Sequence, residues 1–284
     1  MASDTNIAWT EKSWNPTRGC ERVSPGCKKC YAEIMAARHS YPGGWGEHLA
    51  KWVTRPDGTR EARWTGVMQM VPGLLDWPLR RRKPSRIFVN STSDLFHKDV
   101  PADFIGEVFG VMKRCPQHTF QILTKRPERM LMMMSNLASH GPDYPLRNVH
   151  LGVSVEDQDT ADERIPLLRQ TPAAVRWISA EPLLGAVDVD AFLRCRGCGY
   201  TARDKSEQMD HHLCRAPTEA LDWVVIGGES GSDPRPMDME HARDLIAQCK
   251  AAGVPVFVKQ DSGPRPGMQG RFTDEEFALR EYPA

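Results

Sequence analysis

The sequence predicts an α/β protein built as a full or partial parallel β/α barrel. Short, nearly continuous apolar runs recur along the 284 residues, and helix-like segments lie between them. Apolar runs of this kind are typical of strands that are covered on both faces. Strands that alternate with helices indicate parallel βαβ units. The chain lacks a dinucleotide-type glycine fingerprint, which favours a barrel over the alternative, an open doubly wound sheet.

Six apolar runs, each ending in small or polar residues, are the predicted strands. They are residues 86–90, 119–124, 149–155, 175–179, 223–227 and 254–259. Four segments have apolar residues three and four positions apart and are the predicted helices: 102–115, 128–138, 157–168 and 239–252. Pro101 is expected at the first position of its helix, and Gly253 is expected to cap the last one.

Two stretches interrupt this alternation. Residues 40–61 contain Pro, Gly and Trp without a clear period and are interpreted as a long loop or lid. Residues 191–217 carry their own cysteine cluster and are interpreted as a small inserted subdomain. The predicted organisation is therefore a barrel formed by residues 1–190 and 218–284, with a zinc-binding insert at 191–217. A chain of this length can bury the core of one large domain with an insertion.

Composition excludes several classes of protein. Lys plus Arg and Asp plus Glu are balanced at 37 each, so no bulk charge indicates a nucleic-acid partner. No run of about 18 apolar residues predicts a membrane span, and the first residues do not resemble a signal peptide. We therefore expect a cytoplasmic protein, in which clustered cysteines indicate metal binding rather than disulfides.

The first cysteine cluster consists of Cys20, Cys27 and Cys30, spaced C-x6-C-x2-C. Three thiolates without an obvious fourth ligand suit a [4Fe–4S] cluster that keeps one iron open. S-adenosylmethionine (SAM) can chelate such an iron through its amino and carboxylate groups. A zinc ion completed by a fourth ligand, for which His39 is a candidate, explains the same cysteines. The spacing by itself leaves both metals open.

Several segments carry a resemblance to a known family: IAWTEKSWNP, GCERVSPGCKKCYAE, IFVNSTSDLFH, FQILTKRPERM, HLGVSVED, WISAEPLLG, VVIGGESG and VPVFVKQ. The chain resembles a family of uncharacterised phage and prophage proteins with a three-cysteine motif, which is similar to radical SAM enzymes. The resemblance implies a [4Fe–4S] cluster, SAM and a radical SAM-type barrel. The first gap is three residues longer than in the usual C-x3-C-x2-C motif. The pair Cys30-Tyr31 resembles the cysteine–aromatic ending of the spore photoproduct lyase group.

Polar residues at the ends of the predicted strands are the candidate SAM ligands, because the carboxyl ends of barrel strands carry the active site. Carboxylates can accept from the ammonium or the ribose, a lysine can bind the carboxylate, and glycines allow close backbone approach. The resemblance implies that Ser91, Ser93 and Asp94 lie where radical SAM enzymes bind the ammonium group of SAM. Each candidate alone is better explained as a helix cap or a surface ion pair, and it is their recurrence at five strand ends that indicates a binding site. The set is Ser91, Ser93, Asp94, Lys125, Ser154, Glu156, Glu181, Gly227 and Gly228.

The second cysteine cluster lies in the predicted insert. A closed structural zinc site needs four ligands, and this segment offers three cysteines and one of two adjacent histidines. A polar insert of this size needs such a metal to fold, although a reduced loop without metal is the alternative. The predicted zinc ligands are Cys195, Cys198, Cys214 and either His211 or His212.

These observations together predict a radical SAM enzyme with a [4Fe–4S] cluster, SAM and Zn2+. The phage kinship implies a nucleic acid or modified nucleotide as substrate, an electron donor as partner, and the cytoplasm of an infected or lysogenic bacterial host. The specific hypothesis is isomerisation of an amino-acid-modified thymine in phage DNA. The alternatives are a DNA repair lyase and a non-catalytic zinc protein that binds nucleic acid or a partner. No residue is predicted to be catalytic.

Overall fold

The computed structural model describes residues 2–194 and 220–283, which fold around one large sheet. The strands are β1 (Ala2–Asp4), β2 (Lys12–Trp14), β3 (Thr17–Arg18), β4 (Ala50–Thr54), β5 (Arg60–Trp64), β6 (Gln69–Met70), β7 (Arg86–Val89), β8 (Thr119–Thr124), β9 (Val149–Val155), β10 (Val175–Ala180), β11 (Trp223–Gly227) and β12 (Val256–Gln260). The α-helices are α1 (Tyr31–Arg38), α2 (Ala102–Lys113), α3 (Pro127–Ser139), α4 (Gln158–Gln170), α5 (Met239–Ala252) and α6 (Asp274–Phe277).

The main sheet has eight strands in the order β1-β2-β7-β8-β9-β10-β11-β12. β1 runs antiparallel to β2, and every other neighbouring pair in this sheet is parallel. The edge strands β1 and β12 do not pair with each other, so the barrel is partial. The predicted parallel β/α architecture is confirmed, with β1 and β2 as additional strands. The sequence does not predict β2, because three residues are too few to show a pattern.

The sheet is strongly curled, and an aromatic cluster on its inner face shows this. The Trp9 ring lies 4.7 Å from that of Phe88 on β7 and 6.2 Å from that of Trp223 on β11. Phe88 and Trp223 are therefore no further apart than the sum of these two distances. Four strand spacings of a flat sheet would separate them by about 19 Å. The inner face is thus concave, and its strand ends converge.

The outer face of the sheet is covered by helices that bury the main apolar core. α5 has the bounds that its periodicity predicts, and Gly253 caps it in the left-handed conformation with φ 66°. Pro101 is not the first helical residue as predicted but the N-cap of α2, with extended ψ of 143°. Asp157 forms a capping box with Thr160, so α4 begins one residue later than expected. In the described residues, no helix is long and apolar enough to cross a membrane.

The interpretation of residues 40–61 as a loop or lid is wrong for its second half. β4 and β5 form an antiparallel hairpin in which Ala50 pairs with Trp64. The hairpin packs its small residues Ala50 and Ala62 against Ala36 and Ala37 of α1. Its strands carry few large apolar residues, because alanine is sufficient where a helix approaches closely. The two hairpin strands are therefore less hydrophobic than a typical buried strand, and the sequence pattern does not reveal them.

Gly152 on β9 provides a test of the packing inside the barrel. A Cβ atom at this position would lie 2.5 Å from the ring of Trp177, the fully buried residue that pairs with it across β9 and β10. We expect Gly152→Ala to lower the free energy of unfolding by about 1–3 kcal/mol, measured by denaturant titration. Gly106→Ala in α2 is the control, because no atom of the described residues lies within 4 Å of its Cβ position. That variant should be neutral or slightly more stable; equal losses in both would contradict this packing.

His150 on β9 provides a test of pH dependence. Desolvation lowers the pKa of His150 to about 4, and its Nδ1 is buried without a partner in the described chain. The unfolded chain, with a histidine pKa of about 6.5, therefore binds more protons between these two values. The free energy of unfolding should fall as the pH drops from 6.5 towards 4, by up to roughly 1.4 kcal/mol per pH unit. His150→Gln should remove this part of the dependence, whereas His140→Gln at an exposed position should keep it.

Candidate functional site

The carboxyl ends of the parallel strands open into a cavity of about 230 Å³. The loop before α1 closes one side of the cavity with three thiols. Nine of the residues that the sequence singles out line it, and the list is Cys20, Cys27, Cys30, Ser91, Ser93, Asp94, Lys125, Ser154 and Glu181. These residues are spread over more than half of the chain. The curl of the sheet therefore brings together the predicted cysteine site and most of the predicted SAM site.

Three predicted SAM ligands lie outside the cavity lining. A Cβ on Gly228 would lie 2.3 Å from the backbone nitrogen of Ser262, so this glycine allows close approach of the protein's own chain. Gly227 packs beside the carboxylate of Glu181, where an added Cβ would meet it at 3.4 Å. Glu156 is fully buried beneath the cysteine loop. The predicted direct contacts of these three residues with SAM stay untested.

Glu156 joins the cysteine loop to the end of β9. Its carboxylate accepts hydrogen bonds from Ser24 Oγ at 2.6 Å and from the backbone N–H of Gly26 at 3.0 Å. Lys125 forms an ion pair with the same carboxylate, and Arg164 lies 3.5 Å away. Desolvation opposes ionisation, but Lys125 and these hydrogen bonds outweigh it and lower the pKa of Glu156. The charged carboxylate therefore holds the segment between Cys20 and Cys27 against the barrel.

The opposite side of the cysteine loop is held by residues that follow β11. Arg235 donates from Nη1 to the carbonyl of Pro25 at 3.0 Å and from Nε to Glu229 at 3.1 Å. Lys29 forms an ion pair with Asp233 at 2.7 Å. The loop is thus attached to two separated strand ends, which fixes the positions of its thiols.

The environment of the thiols opposes free thiolates. Desolvation raises the pKa of Cys20 to about 12, with a further contribution from the Asp94 carboxylate. Desolvation also raises the pKa of Cys30 to about 11, although backbone N–H groups at the start of α1 favour its thiolate. Without metal, both thiols are therefore protonated at neutral pH. A bound metal centre would replace these protons with positive charge.

Arg126 places a permanent positive charge beside the thiols. Its Nη1 lies 3.9 Å from Cys20 Sγ and 2.8 Å from Asp94 Oδ2. Asp94 also accepts from Thr124 Oγ1 at 2.8 Å and from the backbone N–H of Phe96 at 2.9 Å. Its oxygens are therefore well supplied with donors from the protein. Asp94 orients Arg126 and the strand-end turn, and its predicted contact with the SAM ammonium stays untested.

The serines that follow β7 also have partners within the protein. Ser93 Oγ donates to the carbonyl of Thr17 at 2.8 Å, and Ser91 Oγ donates to Asn15 Oδ1 at 3.2 Å. Asn90 joins this network by donating to Thr17 Oγ1 at 2.9 Å and adopts a positive φ of 63°. A non-glycine residue in this conformation is strained, and such strain concentrates at functional sites.

The apolar wall of the cavity is not evident from the sequence pattern. This wall includes Trp9, Phe88 and Leu123, and the hairpin contributes Trp64. Trp9 lies in a segment without periodicity, so no signal was available for it. Phe88 and Leu123 lie within predicted strands, but both faces of such strands are buried. The curl of the sheet determines which of these side chains face the cavity, and the sequence pattern does not show it.

The three thiols of the first cluster line the same cavity, which is compatible with an iron–sulfur centre bound through three cysteines. Within residues 2–194 and 220–283, no three His, Cys, Asp or Glu side chains are arranged to hold one metal ion. The ligands of a cubane cluster bind separate corners and do not need to converge on one point. His39, the candidate fourth zinc ligand, contacts the carbonyl of Met35 through Nδ1 at 2.8 Å. The predicted zinc ligands Cys195, Cys198, His211, His212 and Cys214 lie outside the described residues.

Comparison with known proteins gives the following findings. None of the curated proteins matches this chain. Among solved structures, spore photoproduct lyase complexed with dinucleoside spore photoproduct is 11% identical, with a TM-score of 0.36 over 87% of this chain and 63% of the lyase chain. A mutant of the lyase with bound AdoMet and dinucleoside spore photoproduct is 12% identical, with a TM-score of 0.37 over 87% of this chain and 63% of the lyase chain. The chain thus matches less than two thirds of the length of these lyase chains.

The family described as "Protein of unknown function (DUF5131)" matches residues 4–276, nearly the whole chain. The match includes the cysteine loop and every strand end that lines the cavity. This chain belongs to that family.

Proposed function

We propose that this protein is a radical SAM enzyme that acts on a nucleic-acid-related substrate. The observation that carries the proposal is the meeting of three thiols with the polar carboxyl ends of a partial parallel barrel in one cavity. Cys20, Cys27 and Cys30 would hold a [4Fe–4S] cluster, which would offer an open iron to SAM and pass on one electron from an external reductant for the cleavage of SAM and abstraction of a substrate hydrogen atom.

The cationic residues around the thiols offset the negative charge of the thiolate ligands. Arg126 lies against Cys20, and Lys29 lines the cavity beside Cys30. Arg126 is largely shielded from solvent, with 13% of its side chain exposed. Solvent therefore screens the interaction between Arg126 and the thiolates only weakly. This arrangement favours a bound anionic centre over the free thiols.

Two lysines on the cavity wall are suited to the SAM carboxylate. Lys125 pairs with Glu156 and Lys259 with Glu181, and both lysines line the cavity. Each ammonium has three donors, so the existing ion pair leaves donors for a second carboxylate. Glu181 is the one predicted carboxylate that both lines the cavity and stays partly exposed, at 20%. We assign it to the ammonium or the ribose of SAM.

The apolar wall has a role in the same chemistry. Trp9, Phe88 and Leu123 exclude water from the inner part of the cavity. A carbon radical needs such a shielded space, because access by other molecules leads to side reactions.

For the reaction outcome we propose isomerisation of an amino-acid-modified thymine, with a DNA repair lyase reaction as the second candidate. Both begin with abstraction of a hydrogen atom from an unactivated carbon of a nucleotide. Mass spectrometry distinguishes the two reactions. Isomerisation leaves the mass of the modified base unchanged. A lyase reaction changes that mass, because it releases a fragment or converts one modified product into two ordinary bases.

The cluster assignment predicts the colour of the protein. Anaerobic reconstitution with iron and sulfide should give a brown protein that absorbs near about 410 nm. Cys27→Ala should abolish this band, because only two protein thiolates then remain. Cys249→Ala, which removes a buried thiol outside the cavity, should retain the band. A colourless protein that instead binds zinc through Cys20, Cys27 and Cys30 would favour the non-catalytic zinc protein.

The SAM assignment predicts that the reconstituted protein, given SAM and a strong reductant, forms 5′-deoxyadenosine. The product is measured by chromatography, and Cys27→Ala should form none. Glu181→Gln and Lys259→Met should weaken SAM binding by roughly tenfold each, as expected for loss of one charge-assisted contact. Lys83→Met, at an exposed position before β7, is the control and should bind SAM normally. Normal SAM affinity in both cavity variants would disprove the assigned contacts.

Glu156 should determine how firmly the cluster is held. Glu156→Gln leaves Lys125 unpaired and weakens the attachment of Ser24 and Gly26, so the loop should hold its thiols less firmly. We expect fewer iron atoms per chain after reconstitution and faster loss of iron to a chelator. Glu163→Gln, at an exposed position of α4, removes the same charge and should behave as the unmodified protein does. Equal rates of iron loss in the two variants would contradict the role assigned to Glu156.

A further inference from the structure

The β4–β5 hairpin presents aromatic and cationic side chains beside the cavity. Its inner end contributes Trp64 to the cavity lining. Trp52 is 37% exposed, which is unusual for so large an apolar side chain. In the described part of the chain, most of the exposed large apolar residues belong to this hairpin or to its surroundings: Val23, Tyr31, Tyr41, Trp52 and Val67. The apolar exposure is therefore concentrated on one side of the molecule, around the cavity entrance.

The hairpin is held rigidly to the cysteine loop. The buried carboxylate of Glu33 accepts from the backbone N–H of Trp64 at 2.7 Å and from Arg22 Nε at 2.9 Å. Arg22 also donates to the carbonyl of Ala62 at 3.0 Å. A ligand that lies on the hairpin is thus kept in a fixed position relative to the cavity.

The pairing register places three side chains in a row along one face of the hairpin, the same face on which Ala50 and Ala62 pack against α1. Trp64 pairs with Ala50, Trp52 pairs with Ala62, and Arg60 pairs with Thr54. Successive pairs are about 7 Å apart along the strands. Trp64 lies at the cavity, Trp52 comes next, and the Arg60 guanidinium lies 5.3 Å from the Trp52 ring. The row extends from the cavity outward.

The hairpin is positively charged although the whole chain is neutral. Residues 50–64 contain Lys51, Arg55, Arg60 and Arg63 against Asp57 and Glu61. Glu61 pairs with both Arg55 and Arg63. Lys51 and Arg60 form no ion pair with any residue of the two described ranges. Arg60 lies on the same face as Trp52, whereas Lys51 lies on the opposite face.

We propose that this hairpin binds single-stranded nucleic acid and directs it into the cavity. On this face Trp52 supplies an exposed ring and Arg60 a cation beside it. Such a combination is typical of proteins that stack unpaired bases and neutralise phosphates. Bases of a duplex are paired and stacked on each other, so they cannot lie on Trp52. The inference rests on the proposed function for the nature of the reaction, but the binding itself does not require a metal centre or SAM.

The test is binding of a fluorescein-labelled oligothymidylate to the full-length protein, followed by fluorescence anisotropy. Trp52→Ala should weaken binding roughly tenfold, and Trp52→Phe should restore most of it, because base–aromatic stacking needs a ring. Arg60→Gln should reduce the slope of log affinity against log salt by about 1. The same oligonucleotide as a duplex should bind less tightly and should be insensitive to Trp52→Ala.

Arg82→Gln is the matched control, because it removes one exposed charge before β7, at the end of the sheet opposite the cavity. It should leave the affinity unchanged. Unchanged affinity in Trp52→Ala, or equal losses in Arg60→Gln and Arg82→Gln, would overturn the proposal. Formation of 5′-deoxyadenosine from SAM without nucleic acid should be the same in Trp52→Ala as in the unmodified protein. A failure of the hairpin proposal is thereby distinguished from a failure of the proposed chemistry.

Discussion

The buried carboxylate of Glu156 is the interaction on which the candidate site depends. It joins a loop that has little regular structure of its own to the end of a central strand, through Ser24, Gly26 and Lys125. A buried charge is stable only where several donors surround it, so the contact has little freedom to form in another arrangement. The cysteine loop therefore has one position on the barrel, and its three thiols face the same cavity.

The charged residues at the strand ends act mainly on the protein itself. Asp94 orients Arg126, Glu156 holds the loop, and Glu229 holds Arg235 against the carbonyl of Pro25. Because these groups are already paired, they need no large rearrangement to receive an anionic centre or a zwitterionic cofactor. This preorganisation is what a site for a charged ligand requires, since the free energy for ordering the side chains is spent on folding. Glu181 and the two lysines of the wall are the groups best placed to contact a ligand.

The strands and most helices follow from local pattern, whereas the hairpin and the first strands do not. Residues 119–124, 149–155 and 223–227 are apolar because both faces of a central parallel strand are covered. β4 and β5 bury only alanines against α1, so their hydrophobicity is too low for recognition. The turn between them does carry a Pro-Asp-Gly signal at residues 56–58, which would have supported a hairpin.

The sequence by itself determined the parallel β/α architecture and the identity of the three thiols, because periodicity and residue spacing are local properties. Only the tertiary structure decided which polar residues line the cavity. Glu156 and Glu181 follow neighbouring strands and are similar in sequence context, yet one is buried under the loop and the other faces the cavity. The reason is the curl of the sheet, which depends on contacts such as those of Trp9 with Phe88 and Trp223, between residues far apart in the chain.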